Sequence, residues 1–288
     1  MADPILKIKN LNVEYPLFGG ILQKEVSCVH AVKNLSIDIP EGETVGIVGE
    51  SGSGKSTLGK AILNVLNLTA PDVRISGEVL LNENGKYVDI MSLSKKELVH
   101  YRPKMQMIFQ DPFSSLNPRM IVKDIIREPL DIHTDLSQSS KDDKVRWLLE
   151  KVGLSGEQQM RYPHEFSGGQ RQRIGIARAL ATEPKIIIAD EPVSALDVSI
   201  QAQVINLMMD LQEEFKLTIL FIAHDLSVVK HISSHIGVMY LGDLVESGNS
   251  DTIFKAPQHD YTKKLLKAIP IPDPRNRDER KNNRLNKK

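Results

Sequence analysis

Residues 49–57 read GESGSGKST and combine closely spaced glycines with one lysine and two terminal hydroxyl residues. Glycines at this spacing let backbone amides turn inward around an anion, Lys55 can reach the outer phosphates of a nucleotide, and Ser56 can offer a hydroxyl to Mg²⁺. The stretch lies between the apolar run TVGIV and a helical pattern, which is the context that a phosphate-binding loop requires. The sequence therefore predicts a phosphate site formed by Gly49, Glu50, Ser51, Gly52, Ser53, Gly54, Lys55, Ser56 and Thr57.

Two consecutive carboxylates follow a second apolar run, in KIIIADEP. Asp190 can hold Mg²⁺ through water, and Glu191 can accept a proton from an attacking water or orient it. Such a pair after a strand often only caps the following helix. Together with a phosphate loop it indicates hydrolysis of a nucleotide.

Two further polar side chains end apolar runs, Gln110 in KMQMIFQ and His224 in LFIAH. Parallel strands present their ends at one edge of a sheet, so His224 is placed to hydrogen-bond a γ-phosphate, although a single histidine is more often structural. Gln110 can ligate Mg²⁺ or a water molecule. We expect the catalytic set to be Glu191, His224, Lys55 and Gln110, and the Mg²⁺ ligands to be Ser56, Gln110 and Asp190.

A second anion site is predicted where FSGGQ opens a helix. Ser167 is a favourable N-cap, and the glycines that follow leave the first helical amides free for an anion. The simpler interpretation is a well-capped helix. Since one phosphate loop already surrounds one nucleotide, we predict that Ser167, Gly168, Gly169 and Gln170 close over the nucleotide of another subunit in a head-to-tail dimer.

The elements that position these residues are predicted from hydrophobic patterns. Residues 44–49, 185–190 and 217–223 are continuously apolar, which is typical of a parallel sheet covered by helices, here over 55–66, 199–214 and 226–232. Residues 5–15, 31–39 and 77–82 alternate, as in antiparallel strands, with a loop over 16–29. Helices over 121–132 and 141–152 predict a helical insert. We expect an α/β core over 1–110 and 167–250, an insert over 111–166, an extension over 251–274 and a disordered basic tail over 275–288.

Composition limits the possible classes of function. The 288 residues carry a formal net charge of zero, which gives no electrostatic reason to expect a nucleic-acid partner. A single cysteine, Cys28, excludes an internal disulfide or a cysteine-ligated metal cluster within the chain. The chain begins without a signal-peptide pattern, and its apolar runs fall short of the roughly 20 residues that span a bilayer. We expect a cytoplasmic protein that reaches a membrane only through a partner.

The motifs GESGSGKST, Gln110, FSGGQ, IIIADE, SALD and His224 occur in an order that resembles the ATP-binding cassette (ABC) ATPases over nearly the whole chain. The resemblance implies an ABC-type P-loop fold with an antiparallel β subdomain and a helical insert, and ATP and Mg²⁺ as cofactors. It also implies that Tyr15 stacks on adenine, that Gln110 couples the ATP site to a membrane subunit, and that Asp197 lies at the dimer interface. Phe166 stands where leucine is commoner, an apolar change that should not impair function.

Residues 109–120, 161–180 and 257–272 further resemble the F-type ATP-binding subunit of dipeptide and oligopeptide permeases. This resemblance implies a D-type ATPase partner, two transmembrane permease subunits, indirectly an extracytoplasmic solute-binding protein, and a peripheral place on the cytoplasmic face of the inner membrane. Some relatives bind an iron–sulfur cluster through cysteines of the extension, which this chain does not carry there.

Three alternatives remain open from the sequence. An importer of nickel or glutathione would have a similar ATPase. A soluble ABC ATPase acting on DNA or ribosomes would carry a long coiled-coil insert or two cassettes, neither of which is present. A P-loop kinase of small molecules would not need FSGGQ.

Overall fold

The computed structural model describes residues 3–20 and 24–268. The predicted basic tail over 275–288 and the end of the predicted extension lie outside these residues. Among the described residues, no helix is both long and apolar enough to cross a membrane.

A six-stranded sheet forms the centre of the molecule, in the order β10-β9-β3-β8-β7-β6. Its strands β3, β6, β7, β8 and β9 run parallel, and β10 pairs antiparallel at the edge. Every residue of β3, β7 and β8 is buried, which explains their continuous apolar runs and confirms the predicted parallel strands. The six strands are β3 Thr44–Val48, β6 Met105–Ile108, β7 Ile186–Asp190, β8 Thr218–Ala223, β9 His235–Tyr240 and β10 Asp243–Asn249.

A second sheet is antiparallel, in the order β2-β1-β4-β5, and contains the alternating segments. Its strands are β1 Leu6–Gly19, β2 Lys24–Ile39, β4 Arg74–Glu83 and β5 Lys86–Asp89. The predicted loop over 16–29 is wrong, because β1 and β2 stay paired to Gly19 and Lys24. Pro16 obscured this strand, yet β4 pairs with β1 only as far as Glu14, so Pro16 lies on an edge where its missing N–H is tolerated.

The helices cover both faces of the six-stranded sheet and largely follow the predicted ranges. The predicted helix over 55–66 is divided, because Asn64 takes a left-handed φ of 51°. In the insert, α5 begins three residues before its predicted start, because Ser137 caps it by accepting the N–H of Ser140 at 3.2 Å. The helices are α1 Lys55–Ile62, α2 Leu66–Thr69, α3 Lys95–Tyr101, α4 Val122–His133, α5 Gln138–Lys151, α6 Gly168–Leu180, α7 Val198–Phe215, α8 Leu226–Ile232, α9 Ser250–Lys255 and α10 Asp260–Lys267.

Short 3₁₀ helices complete the fold at Ile90–Ser92, Arg102–Lys104, Gly156–Met160 and Pro163–Glu165. Two apolar cores hold the elements together. One joins the central sheet to α4–α8, and the other fills the space between the two sheets and α1. The phosphate-loop helix α1 is thus anchored on the same core that fixes both sheets.

Candidate functional site

The predicted polar residues meet at the carboxyl edge of the central sheet. The loop 49–54 follows β3, Asp190 ends β7, His224 follows β8, and Gln110 comes two residues after β6. There a cavity of about 620 Å³ opens beside them, and Asp190 lies behind its lining, bonded to Ser56. Its lining comprises Ser51, Gly52, Gly54, Lys55, Ser56, Thr57, Gln110, Glu191 and His224, together with Val29, His30, Ala31, Lys33 and Leu241. The position of this cavity is the one at which open α/β sheets bind ligands.

The glycine at position 54 is required by the shape of the loop. Gly54 has a φ of 100°, and a Cβ there would lie 2.0 Å from the carbonyl oxygen of Ala31. It stands immediately before Lys55, the first residue of α1, so the free N–H groups of the helix start face the loop. This arrangement is the anion cradle that the sequence predicts.

Lys55 is a buried cation that the loop itself holds. Its Nζ donates to the carbonyl oxygens of Gly49 and Glu50, both at 2.8 Å, and lies 4.0 Å from Oε1 of Glu191. Burial lowers the pKa of Lys55, and the carboxylates of Glu191 and Asp190 oppose that change. A phosphate in the loop would supply the anionic partner that a desolvated ammonium group requires.

Asp190 and Ser56 form a direct pair at the base of the cavity, with Ser56 Oγ donating to Oδ1 of Asp190 at 2.7 Å. Burial raises the pKa of Asp190, although the Ser56 hydrogen bond and Lys60 act in the opposite direction. A carboxylate and a hydroxyl side by side fit Mg²⁺, which usually takes one or two protein oxygens and completes its shell with water and phosphate. In the described part of the chain, no group of three His, Cys, Asp or Glu is placed to hold a metal.

Glu191 lies where the predicted catalytic side chains converge. Its Oε2 accepts from Gln110 Nε2 at 3.1 Å and lies 3.2 Å from Nδ1 of His224. Its φ of 44° is unfavourable for a residue with a side chain. The backbone keeps it there, since its N–H donates to Ile222 and its carbonyl accepts from Ser194. Strain of this kind is concentrated at functional sites.

The predicted second anion site lies apart from this cavity. Ser167 caps α6 by accepting the N–H of Gln170 at 3.3 Å, and the Gln170 side chain accepts the N–H of Ser167 at 3.0 Å. A Cβ at Gly169 would lie 2.4 Å from Cγ2 of Ile200, so close packing on α7 also requires this glycine. Ser167, Gly169 and Gln170 border a separate cavity of about 480 Å³. None of the predicted residues 167–170 lines the phosphate-loop cavity.

Two residues taken from the family resemblance do not line the phosphate-loop cavity either. Tyr15 is half-buried against the core of the antiparallel sheet, and its strand partner Val29 lines the cavity instead. Asp197 caps α7 by accepting from the N–H of Ile200 at 3.0 Å, and hydrogen bonds of this kind lower its pKa. Their roles in adenine stacking and dimerisation stay predictions.

No sequence pattern predicts which residues form the antiparallel-sheet side of the cavity. Val29, His30, Ala31 and Lys33 belong to β2, and only the placement of one sheet against the other brings them to the loop. Tyr261 was also missed, although its hydroxyl accepts the backbone N–H of Glu50 at 3.1 Å.

Comparison with known proteins matches the family model "ABC transporter" over residues 32–194, which hold the phosphate loop, Gln110, FSGGQ and Glu191. The chain belongs to the ABC transporter family. Residues 245–287 match a second model, "Oligopeptide/dipeptide transporter, C-terminal region". The oligopeptide transport ATP-binding protein OppF of Bacillus subtilis is 55% identical over 276 residues, covering 95% of this chain and 85% of that protein. The glutathione import ATP-binding protein GsiA of Pectobacterium atrosepticum is 49% identical over 96% of this chain, which spans 43% of that protein.

Solved structures agree with this assignment. A dimeric post-hydrolysis state of the ATP-binding cassette MJ0796 bound to ADP and Pi is similar with a TM-score of 0.70 and 29% identity, over 85% of this chain and 98% of that one. CbiO1 from Clostridium perfringens, part of the ABC transporter complex cbiONQ, gives 0.71 and 27%, over 93% and 97%. The predicted α/β ABC fold is confirmed, and the chain is an ABC-type ATPase.

Proposed function

We propose that this chain binds and hydrolyses ATP to energise a membrane importer of dipeptides and oligopeptides. The observation that carries the proposal is the oligopeptide/dipeptide transporter region at 245–287. It follows an ABC domain whose phosphate-loop cavity is lined by Lys55 and Glu191, with Asp190 bonded to Ser56 of that lining. The similarity to OppF, an oligopeptide transport protein by its name, supports the same solute class.

The site suggests how each side chain acts. Lys55 would exchange the carbonyl oxygens of Gly49 and Glu50 for phosphate oxygens of ATP. Glu191, held by Gln110 and His224, would orient the attacking water or accept its proton. Ser56 and Asp190 would hold Mg²⁺, with Gln110 as a further predicted ligand, and the ion would supply positive charge opposite the phosphates.

Closure over ATP needs a second cassette, because the Ser167 segment lies outside the phosphate-loop cavity of its own chain. We propose that this partner is a D-type ATPase and that two cassettes alternate between closed and open arrangements as ATP is bound and hydrolysed. Two transmembrane permease subunits would then hold the pair at the cytoplasmic face of the inner membrane, and a solute-binding protein would deliver peptide from outside.

The permease site that we propose is a cavity of about 240 Å³ between residues 105–109 and α4 of the helical insert. Arg102 borders it with an Nε that is buried and has no hydrogen-bond partner among the described residues. Phe109, also at this cavity, is 43% exposed. A permease segment with an apolar surface would cover Phe109, and a carboxylate or carbonyl group on it would pair with Arg102, which is partly exposed.

Glutathione is the second candidate solute, because the GsiA relatives are 49% and 50% identical over this chain, against 55% for OppF. Glutathione is itself a small peptide, so the two candidates differ in size and linkage more than in chemistry.

Reconstitution distinguishes these possibilities. Both permeases are inserted in liposomes, with this chain and its partner ATPase bound on one side of the membrane. The solute-binding protein is added on the opposite side. We expect ATP-dependent uptake of labelled dipeptides or tetrapeptides, abolished by Glu191→Gln. Uptake of glutathione without uptake of other peptides would show that glutathione is the solute. ATP turnover without uptake of either would contradict the importer function.

A further inference from the structure

We infer that Tyr261, in helix α10, is a positioning residue for the phosphate loop and that it tunes nucleotide affinity from the C-terminal region of the chain. This inference rests on the proposed ATP site. Its basis is a hydrogen bond between two distant parts of the sequence, from the backbone N–H of Glu50 to the Tyr261 hydroxyl at 3.1 Å.

The hydrogen bond acts on the same residue that Lys55 contacts. The Glu50 carbonyl accepts from Lys55 Nζ at 2.8 Å and from the Ser53 N–H at 3.2 Å. The N–H of Glu50 is therefore bonded to Tyr261, while its carbonyl is bonded to Lys55 and to Ser53 of the loop turn. When Lys55 leaves for the phosphates of a nucleotide, the Tyr261 bond is still available to keep the start of the loop in place.

Tyr261 is itself held firmly, as a positioning residue must be. Its side chain is 8% exposed and packs in the main core. Its ring lies 4.2 Å, centroid to centroid, from that of Tyr240, which ends β9 beside the phosphate-loop strand. The core and the neighbouring ring therefore fix the hydroxyl relative to the loop.

The start of α10 is tied to the central sheet by Glu246 of β10. The two oxygens of Glu246 accept the N–H groups of Gln258 at 2.7 Å and His259 at 3.1 Å, directly before α10 begins. Because Glu246, His259 and Tyr261 all belong to residues 245–287, this region forms the whole path from the sheet edge to the loop. A change in this region, including one that a partner causes, would thus reach the ATP site.

The test is Tyr261→Phe in the full-length chain, with Tyr240→Phe as the matched control. The control also removes one hydroxyl from the ring pair, but the Tyr240 hydroxyl has no hydrogen bond within residues 3–20 and 24–268. We expect Tyr261→Phe to raise the Kd for both ATP and ADP by about two- to tenfold, the effect of one net hydrogen bond. In the assembled complex KM for ATP should rise similarly with kcat nearly unchanged, because the loop holds substrate and transition state alike. Tyr240→Phe should change neither quantity.

Hydrogen exchange at the Glu50 amide gives a direct second readout. We expect faster exchange in Tyr261→Phe and the wild-type rate in Tyr240→Phe, with the melting temperatures of both variants close to that of wild type. Unchanged nucleotide affinity, or unchanged protection of the Glu50 amide, would overturn the inference while the wild-type chain still binds ATP. If the wild-type chain did not bind ATP, the proposed function itself would fail.

Discussion

Among the single residues of the site, Glu191 is the best-supported candidate for the catalytic base of hydrolysis. It is strained, nearly buried and bonded to Gln110 and His224 beside the phosphate loop. We expect Glu191→Gln in the assembled complex to lower ATP turnover by at least about a hundredfold while ATP affinity is kept, since the amide keeps the size and loses the basic oxygen. Steady-state turnover and equilibrium ATP binding measure the two effects.

Lys55→Ala is the contrasting variant for that experiment. Lys55 contacts the loop and would contact phosphates, so its loss should weaken ATP binding itself by about ten- to hundredfold, the effect of a charge-assisted hydrogen bond. Near-normal turnover of Glu191→Gln would show that Glu191 is not the catalytic base.

Asp190 provides a prediction about the stability of the ligand-free chain. Burial raises its pKa, which means that the carboxylate form is disfavoured in the folded chain. The free energy of unfolding is therefore reduced at pH values above that pKa. Asp190→Asn should raise the melting temperature of the ligand-free chain by about 1 to 3 °C near neutral pH, and the gain should shrink as the pH falls and the wild-type carboxyl is protonated. Mg²⁺-dependent turnover should be lost.

Thermal scans over a series of pH values measure this effect. Asp210→Asn, on the exposed side of α7, is the control and should leave the melting temperature unchanged. A lower melting temperature for Asp190→Asn would show that the Ser56 hydrogen bond and the charge of Lys60 outweigh burial.

Among the helices, α6 is fully capped at its N-terminus by residues of the same chain. This N-terminus also borders a cavity that is separate from the phosphate-loop cavity. If it acts on the nucleotide of a partner, Ser167→Arg should leave ATP binding to the isolated chain intact and abolish ATP-driven dimer closure and turnover. Ser137→Arg, which removes a similar cap from α5, should affect neither. Weaker ATP binding by the isolated Ser167→Arg chain would instead indicate a role within one chain.

The cavity proposed for the permease, between residues 105–109 and α4, provides a second prediction. Arg102→Glu reverses the charge at the proposed permease cavity and should reduce association with the permeases, because the buried donor would become an acid. ATP binding to the isolated chain should be unaffected. Lys96→Glu makes the same charge change on the exposed surface of α3, outside the cavity. Co-purification with the permeases separates the two variants, and equal association of both with wild type would rule out this docking site.

At the scale of the whole molecule, the identity of the second cassette decides whether the chain is active alone. The resemblance to an F-type subunit implies a non-identical partner, so we expect the purified chain to be mostly monomeric with little ATPase activity. Activity should become strong once a D-type partner and both permeases are present. Turnover measured against protein concentration, alone and with partner, controls for simple dilution of a homodimer.

A full-rate homodimer that also supports transport with the permeases alone would contradict the heteromeric arrangement. The chain contains both a phosphate loop and a Ser-Gly-Gly segment, so a symmetric pair with two equal sites is the defined alternative.

Sequence patterns alone predict the phosphate loop, the parallel strands and the edge at which Asp190, Glu191 and His224 emerge. These follow from local order, since a continuously apolar run with polar residues at its end can be placed in a parallel sheet without knowledge of its neighbours. The ends of the helices were less certain, because caps such as Ser137 shift them by a few residues.

The distant segments that complete the site could be identified only from the folded chain. The β1–β2 hairpin was hidden by Pro16, and its contribution to the cavity depends on how two sheets stack. The contact of Tyr261 with Glu50 joins residues 211 positions apart and leaves no periodic pattern in either segment. Hydrophobic periodicity reports which face of an element is buried, whereas contacts between elements depend on their packing and on single hydrogen bonds.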